Sequence, residues 1–388
     1  MKLQDVVNRI GIKPNENNKA LNTYIQNNIQ NKGRLDNFLS ALNNIPESLQ
    51  TAEITEKELY DYIYKGLDGL EYTVSDINKV ANSPIYRTDD TENKRIFGLA
   101  LSALINKVAK KGDKVQLNIS KPMDHLFYLA DGIEAHVNTA GKYLGYNAKN
   151  SKIYAEKSGD HAGYEMDNCE LHVRLAGENL GYNAKNSKIY AEKAGDDAGY
   201  EMDNCELHVN TAGKYLGIGT RNSKIYAEKA GDDAGYHMNN CELHVNEAGE
   251  YLGIGTRNSK IYAEKARYWA GDLMDNCELH VNEAGDYLGN GTKNSKIYAE
   301  KSGDHAGYEM DNCELHVNEA GKYLGNGTKN SKIYAEKAED YAGHNMDKCE
   351  LHVKLAGKNL GNGTRNSKIV TPNYTLYKHE VGTWERKT

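Results

Sequence analysis

The strongest constraint on this chain is that it repeats itself. From Asn150 it reads NSKIYAEKSGDHAGYEMD and then NCELHVRLAGENLGYNAK, and variants of those two lines alternate to about Arg365. Ser151, Ser187, Ser223, Ser259, Ser295, Ser331 and Ser367 mark a 36-residue period. Its two halves share one skeleton, N-S/C-x-I/L-x-A/V-x-x-A/S-G-x-x-A/L-G, so the unit is 18 residues long. A short fixed period over such a span is the mark of stacked units that each bury a face against the next.

Each unit begins with a two-residue alternation. In Ser187-Lys188-Ile189-Tyr190-Ala191-Glu192 the small or apolar side chains fall at every second place, as a half-buried strand requires. Cys205, Leu207 and Val209 hold the same places one unit on, with Glu206 and His208 facing out. The stretch Ala194 to Met202 spaces apolar residues as a helix does, but Gly195 and Gly199 argue for tight arcs, since each glycine costs a helix interior about 1 kcal/mol. One unit is then one coil, and strands of successive coils lie in parallel about 4.8 Å apart. About 14 coils between residues 113 and 371 predict a rod roughly 65–70 Å long. Its core holds a column of Ile and Leu (Ile153, Leu171, Ile189, Leu207), one of Ala and Val, and alternating Ser and Cys. Met166, Met202, Met238, Met274, Met310 and Met346 alternate with Ala or Thr at a corner, large over small, which fills a narrow core.

Residues 1–112 differ in kind. Helical periods run through Leu3/Val6/Val7/Ile10, Leu21/Tyr24/Ile25/Ile29 and Leu35/Phe38/Leu39/Leu42. Thr55 and Glu58 form a capping box, and Asp90 or Thr91 starts a helix running to about Lys111, with Gly112 as its stop and a loop near Pro84 before it. The expected architecture is mostly β: a small α-helical N-terminal domain (1–112), a parallel β-helix or β-solenoid (113–371) and a C-terminal tail (372–388) that folds over the far end. The helical domain either caps the first coil, whose open strand edge invites aggregation, or carries a recognition function of its own. Lys114 to Asp131 reads as a degenerate first coil, with Val115, Leu117 and Ile119 inward and Pro122 breaking the pattern.

The arc motif, AGDDAGYEMDN followed by AGEYLG, resembles the G-x-G-x-G repeat family, found in the glutamate synthase C-terminal domain and in one of the subunits of formylmethanofuran dehydrogenase. The matching positions are Ala194, Gly195, Ala198, Gly199, Met202, Leu207 and Val209, and the likeness covers about 130–370. It implies a right-handed parallel β-helix acting as a structural and interface element. The Gly-Gly that precedes the strand in that family is here Asn-Ser or Asn-Cys. The family's catalytic domains are missing, so neither enzyme activity carries over.

Composition bounds the chemistry. The chain has 388 residues, 39% apolar content, 28 Tyr but only three Phe, and a net charge of −7 that gives no pull toward nucleic acid. No stretch approaches 18 apolar residues, so no membrane span is expected, and Met1 to Gly11 lacks the apolar run of a signal peptide. Cys169, Cys205, Cys241, Cys277, Cys313 and Cys349 recur every second coil, about 9.6 Å apart, too far for a disulfide or a shared metal. They are expected to be buried reduced thiols, which suits a cytoplasmic chain. His136, His172, His208 and their successors to His352 alternate with Tyr154, Tyr190 and the rest on the outward face, expected to stack on one another rather than hold metal. Beside them Glu134, Lys152, Glu170, Lys188 and onward to Lys368 alternate, so a slip of one coil would set Lys on Lys. Asn150, Asn168, Asn186 and successors begin each strand, where amides can hydrogen-bond along the axis; Lys348 alone interrupts them.

The repeat breaks most visibly in the coil 258–275, where Ala266-Arg267-Tyr268-Trp269 replaces Ala-Gly-Asp-Asp and Leu273 follows. The column of Trp269 holds Tyr251, Tyr287, His305, Tyr323 and Tyr341, six rings along one edge with Arg267 beside them. Exposed aromatics with an arginine are typical of interface hot spots. Two accounts fit: drift on a solvated corner, or a surface for a partner or ligand. Tyr146, Tyr164, Tyr182, Tyr200, Ile218 and Tyr236 form a second such column. No catalytic group, cofactor motif or metal set stands out from the repeat. The expected function is that of a non-enzymatic scaffold or protein-interaction subunit of a larger complex. The alternative is a module binding an extended ligand such as a glycan along the aromatic edge, and self-association through the rod ends stays open.

Overall fold

The computed structural model describes residues 36–38, 42, 45–46, 54–69, 71–82, 91–378 and 385–387. The helical periods expected at 3–10 and 21–29, the loop near Pro84 and Trp384 of the tail lie outside the described residues. Within them, strands recur every 18 residues and stack into a parallel β-solenoid of about 14 turns, preceded by a small helical region. From β2 (Glu134–Thr139) to β14 (Glu350–Ala356) each strand is six or seven residues long and pairs in parallel with the next, Glu134 against Lys152 and Ile153 against Leu171. The alternation read from sequence is the burial observed: Ile153, Leu171, Ile189 and Leu207 are fully buried and the residues between them point outward. Large side chains from the arc, Leu144, Leu180 and Met166 among them, close the core from the opposite side.

The arcs are turns and not helices, for a reason that glycine supplies. Gly145 has φ +69, and a Cβ there would lie 2.6 Å from Ile153 Cδ1 on the strand across the core. Any side chain would therefore prise the two walls apart. Backbone hydrogen bonds between turns continue through the arc: Gly145 N–H donates back to Leu126 O at 2.8 Å and Asn147 N–H donates forward to Tyr164 O at 3.0 Å. The arc thus loses few backbone partners to solvent.

The first turn departs from the rule. Lys114 of β1 (Lys114–Leu117) pairs with Glu134, which makes this turn two residues longer than the 18 of later ones. Phe127 sits in the glycine column with φ 60 and is fully buried. Ala135 replaces the Ile or Leu of later strands, and that smaller residue leaves room for the ring.

Three described helices precede β1. In α1 (Glu56–Gly66) Thr55 and Glu58 form the expected capping box, and Leu59, Tyr60 and Ile63 are buried. Asp76 with Thr73 does the same for α2 (Val74–Ala81). Helix α3 (Thr91–Val108) ends three residues before Lys111, where the chain turns at Gly112 (φ +89) into β1. It packs on the first turn, where Ser102 Oγ donates to His125 O at 2.8 Å and Asn106 Nδ2 to Tyr128 O at 2.9 Å. Asn78 of α2 and Asn82 at its C-terminal cap donate to the carbonyls of Gln116 and Asn118, covering the free edge of β1. At the other end β15 (Ser367–Val370) still pairs in parallel with β14, but β16 (Thr375–Lys378) and β17 (Glu385–Lys387) add antiparallel and end the stack.

Candidate binding surfaces

The Ser, Cys and Thr columns of the core are satisfied from within, while Ser158 and Ser302, at the entry to the arc, leave a buried hydroxyl without a partner. Ser187 Oγ donates to Lys185 O at 2.6 Å and accepts the Cys169 amide at 3.0 Å. Cys205 Sγ lies 3.2 Å from Ala184 O and 3.3 Å from Asp203 O, so the thiols do more than pack: they point weak donors at carbonyls. All six cysteines are free and buried, and burial pushes the thiols of Cys169, Cys205, Cys313 and Cys349 up to about 11. Thr220 takes the corner that Met202 fills one turn earlier and donates to Gly199 O at 2.7 Å.

The asparagine column links differently from the simple amide ladder expected. Asn168 Nδ2 reaches Asn150 Oδ1 at 2.8 Å, but Asn186 Nδ2 turns to Asp167 Oδ1, also at 2.8 Å. On every second turn the residue before the column, an aspartate everywhere but at Asn239, intercepts the link. These asparagines have φ near +50, a backbone region that Asn tolerates better than most residues.

The strand face carries thirteen stacked rings from His136 to His352, with centroids 4.5–5.1 Å apart and planes within 23°. Each histidine also bonds the glutamate two residues before it, as His172 Nε2 does Glu170 Oε1 at 2.7 Å. That bond, with Lys152 Nζ 3.1 Å away, holds the Glu170 carboxyl below its usual range. Along one side of the rings a shallow groove of about 710 Å³ runs from Gln116 to Asn210 past Glu156, Arg174 and Glu192. Arg174 bridges both glutamates, at 2.7 and 3.5 Å. Among the described residues no three His, Cys, Asp or Glu side chains converge as a metal ion needs.

The predicted edge lies on the arc. Tyr251, Trp269, Tyr287, His305, Tyr323 and Tyr341 form one continuous stack; Trp269 lies 4.1 Å from Tyr287 at 2° and 6.3 Å from Tyr251. Sequence reasoning took these rings as exposed. They are half-buried, because each face is covered by the next ring and only the rims reach solvent. All six have φ between 59 and 64. The same backbone position is held by Asn179, Asp197, Asp233 and Asn359 elsewhere, and by a second stack, His125, Tyr143 and His161, at 4.7 Å spacing. That earlier stack was missed, although its 18-residue spacing from Tyr251 is legible. In the second predicted column Tyr164, Tyr182 and Tyr200 stack at 5.0 and 4.7 Å, and Tyr236 stacks on His237 instead of continuing it.

What stands free at the break is its flanks. Tyr268 is 48% exposed and Leu273 58%, with Arg267 exposed beside them. Tyr268 replaces an aspartate: in other turns Asp196 accepts the Lys214 amide at 2.8 Å and Asp232 that of Glu250 at 3.1 Å. Arg267 occupies a glycine column, and its local context explains why a side chain fits. Where an aspartate stands one turn back, as Asp196 does for Gly213, a Cβ would overlap its Oδ1; Arg267 follows Glu250 and Glu339 follows Lys322, so neither meets that aspartate. The break is therefore accommodated without disturbing the neighbouring turns: Arg267 N–H still donates to Gly249 O at 3.2 Å.

No helix among the described residues is long and apolar enough to cross a membrane. No family model matches the chain, and neither a curated protein nor a solved structure does.

Proposed function

We propose that the chain is a non-enzymatic β-solenoid scaffold whose arc side binds a protein partner at the coil 258–275. One observation carries this reading: Arg267, Tyr268 and Leu273 leave their columns together within one coil and stand in solvent beside Trp269, whereas the rod's other exposed large apolar residues, Tyr215 and Leu355, stand singly. Large apolar and guanidinium groups gathered around an aromatic anchor are the composition of a binding hot spot. The likeness of the arc motif to G-x-G-x-G repeats, which serve as interface elements, supports the same reading. Glycan stacking along the edge is less well supported, because the ring faces a sugar would use are already occupied by neighbouring rings.

The test restores the repeat. Arg267→Gly, Tyr268→Asp and Leu273→Glu together rebuild the arc of Gly195, Asp196 and Glu201. A full-length tagged chain should co-purify with a stoichiometric partner from its native source, and the triple variant should lose that partner while keeping its circular dichroism. Equal recovery by both proteins would overturn the assignment.

A further inference from the structure

We propose that the strand face, on the side of the rod away from the arc, binds the same face of a second copy with the two rods antiparallel. The motivating pattern is that the charged columns of this face alternate in step. Asp131, Lys149, Asp167 and Lys185 follow one another at the strand starts, bridged turn to turn. Glu134, Lys152, Glu170 and Lys188 do so within the strands. Turns that contain Ser at the strand start carry lysine or arginine in both columns. Turns that contain Cys carry carboxylates in both, Asn239 excepted. In these two columns the face is striped, a row of cations and then a row of anions, repeating about every 9.6 Å, while the column beyond the rings carries glutamate, Glu156 to Glu336, on the cationic turns.

Such stripes are self-complementary under one symmetry operation. A two-fold axis lying in the face, along the strands and midway between two turns, sets each cationic row of one copy opposite an anionic row of the other. The rows from β2 to β15 number fourteen, so an axis at the centre of the rod falls between Glu242 and Lys260 and leaves no row without a counterpart. Tyrosine then faces histidine along the ring column. The two bases in the next column come opposite acids: Arg174 faces Glu336 of the second copy, and Lys354 faces its Glu156.

The charges are available for this. The ladder lysines from Lys152 to Lys296 are 58–60% exposed, and their bonds along the rod are loose, from 3.1 Å for Lys152–Glu170 to 4.0 Å for Lys296–Glu314; Lys368 at the end of the ladder is held tighter, 2.7 Å from Glu350. Five residues of strand width over fourteen turns give roughly 1,000 Å² per copy. A stable interface needs about 800 Å² from each partner.

Sedimentation velocity on the full chain tests it. The wild-type protein should dimerise at micromolar concentration in about 0.05 M NaCl and bind at least about tenfold more weakly in about 0.5 M. Glu156→Lys with Glu336→Lys should be monomeric, because bases then face bases; Arg174→Glu with Lys354→Glu should be monomeric for the opposite reason. An equimolar mixture of the two variants should recover a heterodimer, an outcome that loss of folding in either variant cannot imitate. A wild-type chain that stays monomeric at low salt, or a dimer indifferent to both charge changes, overturns the proposal. The triple variant at Arg267, Tyr268 and Leu273 should dimerise like wild type, which separates this surface from the arc site.

Discussion

Asp196 and Gly213 lie against each other across one turn of the rod. The aspartate Oδ1 accepts the Lys214 amide at 2.8 Å, and a Cβ on Gly213 would occupy the carboxylate's place. Gly159 follows Lys142 instead, and a Cβ there would meet backbone at 3.0 Å. Gly213→Ala should therefore expel the carboxylate, leave an amide unpaired and cost about 1–3 kcal/mol in urea unfolding. Gly159→Ala should cost distinctly less. Equal losses at the two sites would show that the carboxylate is not the reason for glycine.

Restoring the aspartate where it is missing should have the opposite sign. Tyr268→Asp supplies an acceptor for the Asp286 amide, and Gly285 one turn on is still glycine, so nothing blocks it. The melting temperature should rise, by an amount corresponding to about 1 kcal/mol. A fall would mean that the Tyr268 ring contributes more to the turn than an acceptor does.

The six thiols should be silent in the native protein. Four are pushed up to about 11 by burial, and all six sit beneath the strand starts. A disulfide-exchange reagent at pH 8 should titrate none of them within minutes and all six in denaturant. Any fast-reacting thiol would place that cysteine outside the core.

Acid should weaken the rod through its glutamates. Hydrogen bonds from His172, His208, His244, His280 and His316 hold Glu170, Glu206, Glu242, Glu278 and Glu314 below the usual carboxylate value of 4.5. A carboxyl depressed in the folded state contributes stability that is complete above its unfolded value and lost as pH falls through the folded one. This contribution should hold steady from pH 7 to about 5 and decline below about 4.5. Replacing all five glutamates with glutamine should flatten that decline. An unchanged acid limb would assign it to other carboxylates, such as Asp160 or Asp232.

Reversing one charge in the ladder should cost little and depend on salt. Glu206→Lys would put three cations in line with Lys188 and Lys224. Thermal melts should show a loss of up to about 1 kcal/mol per broken pair at low salt, shrinking as salt is added. A salt-independent loss would point to packing instead.

The fold was legible because a period states which residues share an environment, and burial then follows from strand alternation. Ile189 and Leu207 could be placed inward without knowing anything else about the molecule. The arcs were readable only in part. Glycine at 145 and its successors announced the tight turn, but nothing in Tyr251 or Trp269 announces a left-handed backbone, because aromatic side chains rarely adopt it. The signal lay in the asparagines and aspartates that share their column. The first turn reads as degenerate at Pro122, and its two extra residues do fall between Leu117 and Met123; the accompanying exchange of Gly and Ile for Phe127 and Ala135 is visible only once two walls are known to meet. The free flanks at Tyr268 and Leu273 are legible because they violate the repeat, whereas the half-burial of Trp269 and the other rings of its column is not, because stacking covers ring faces without changing residue type.

The alternation of Lys188 with Glu206 also sets how a rod like this can change its length. Removing or inserting one turn would join two turns of like charge and set Ser against Ser at the strand starts, breaking the Ser187–Cys169 bond pattern at the seam. Removing or inserting a pair leaves every junction as it was. Natural or engineered relatives of this protein should therefore differ in size by whole multiples of 36 residues, growing by doublets.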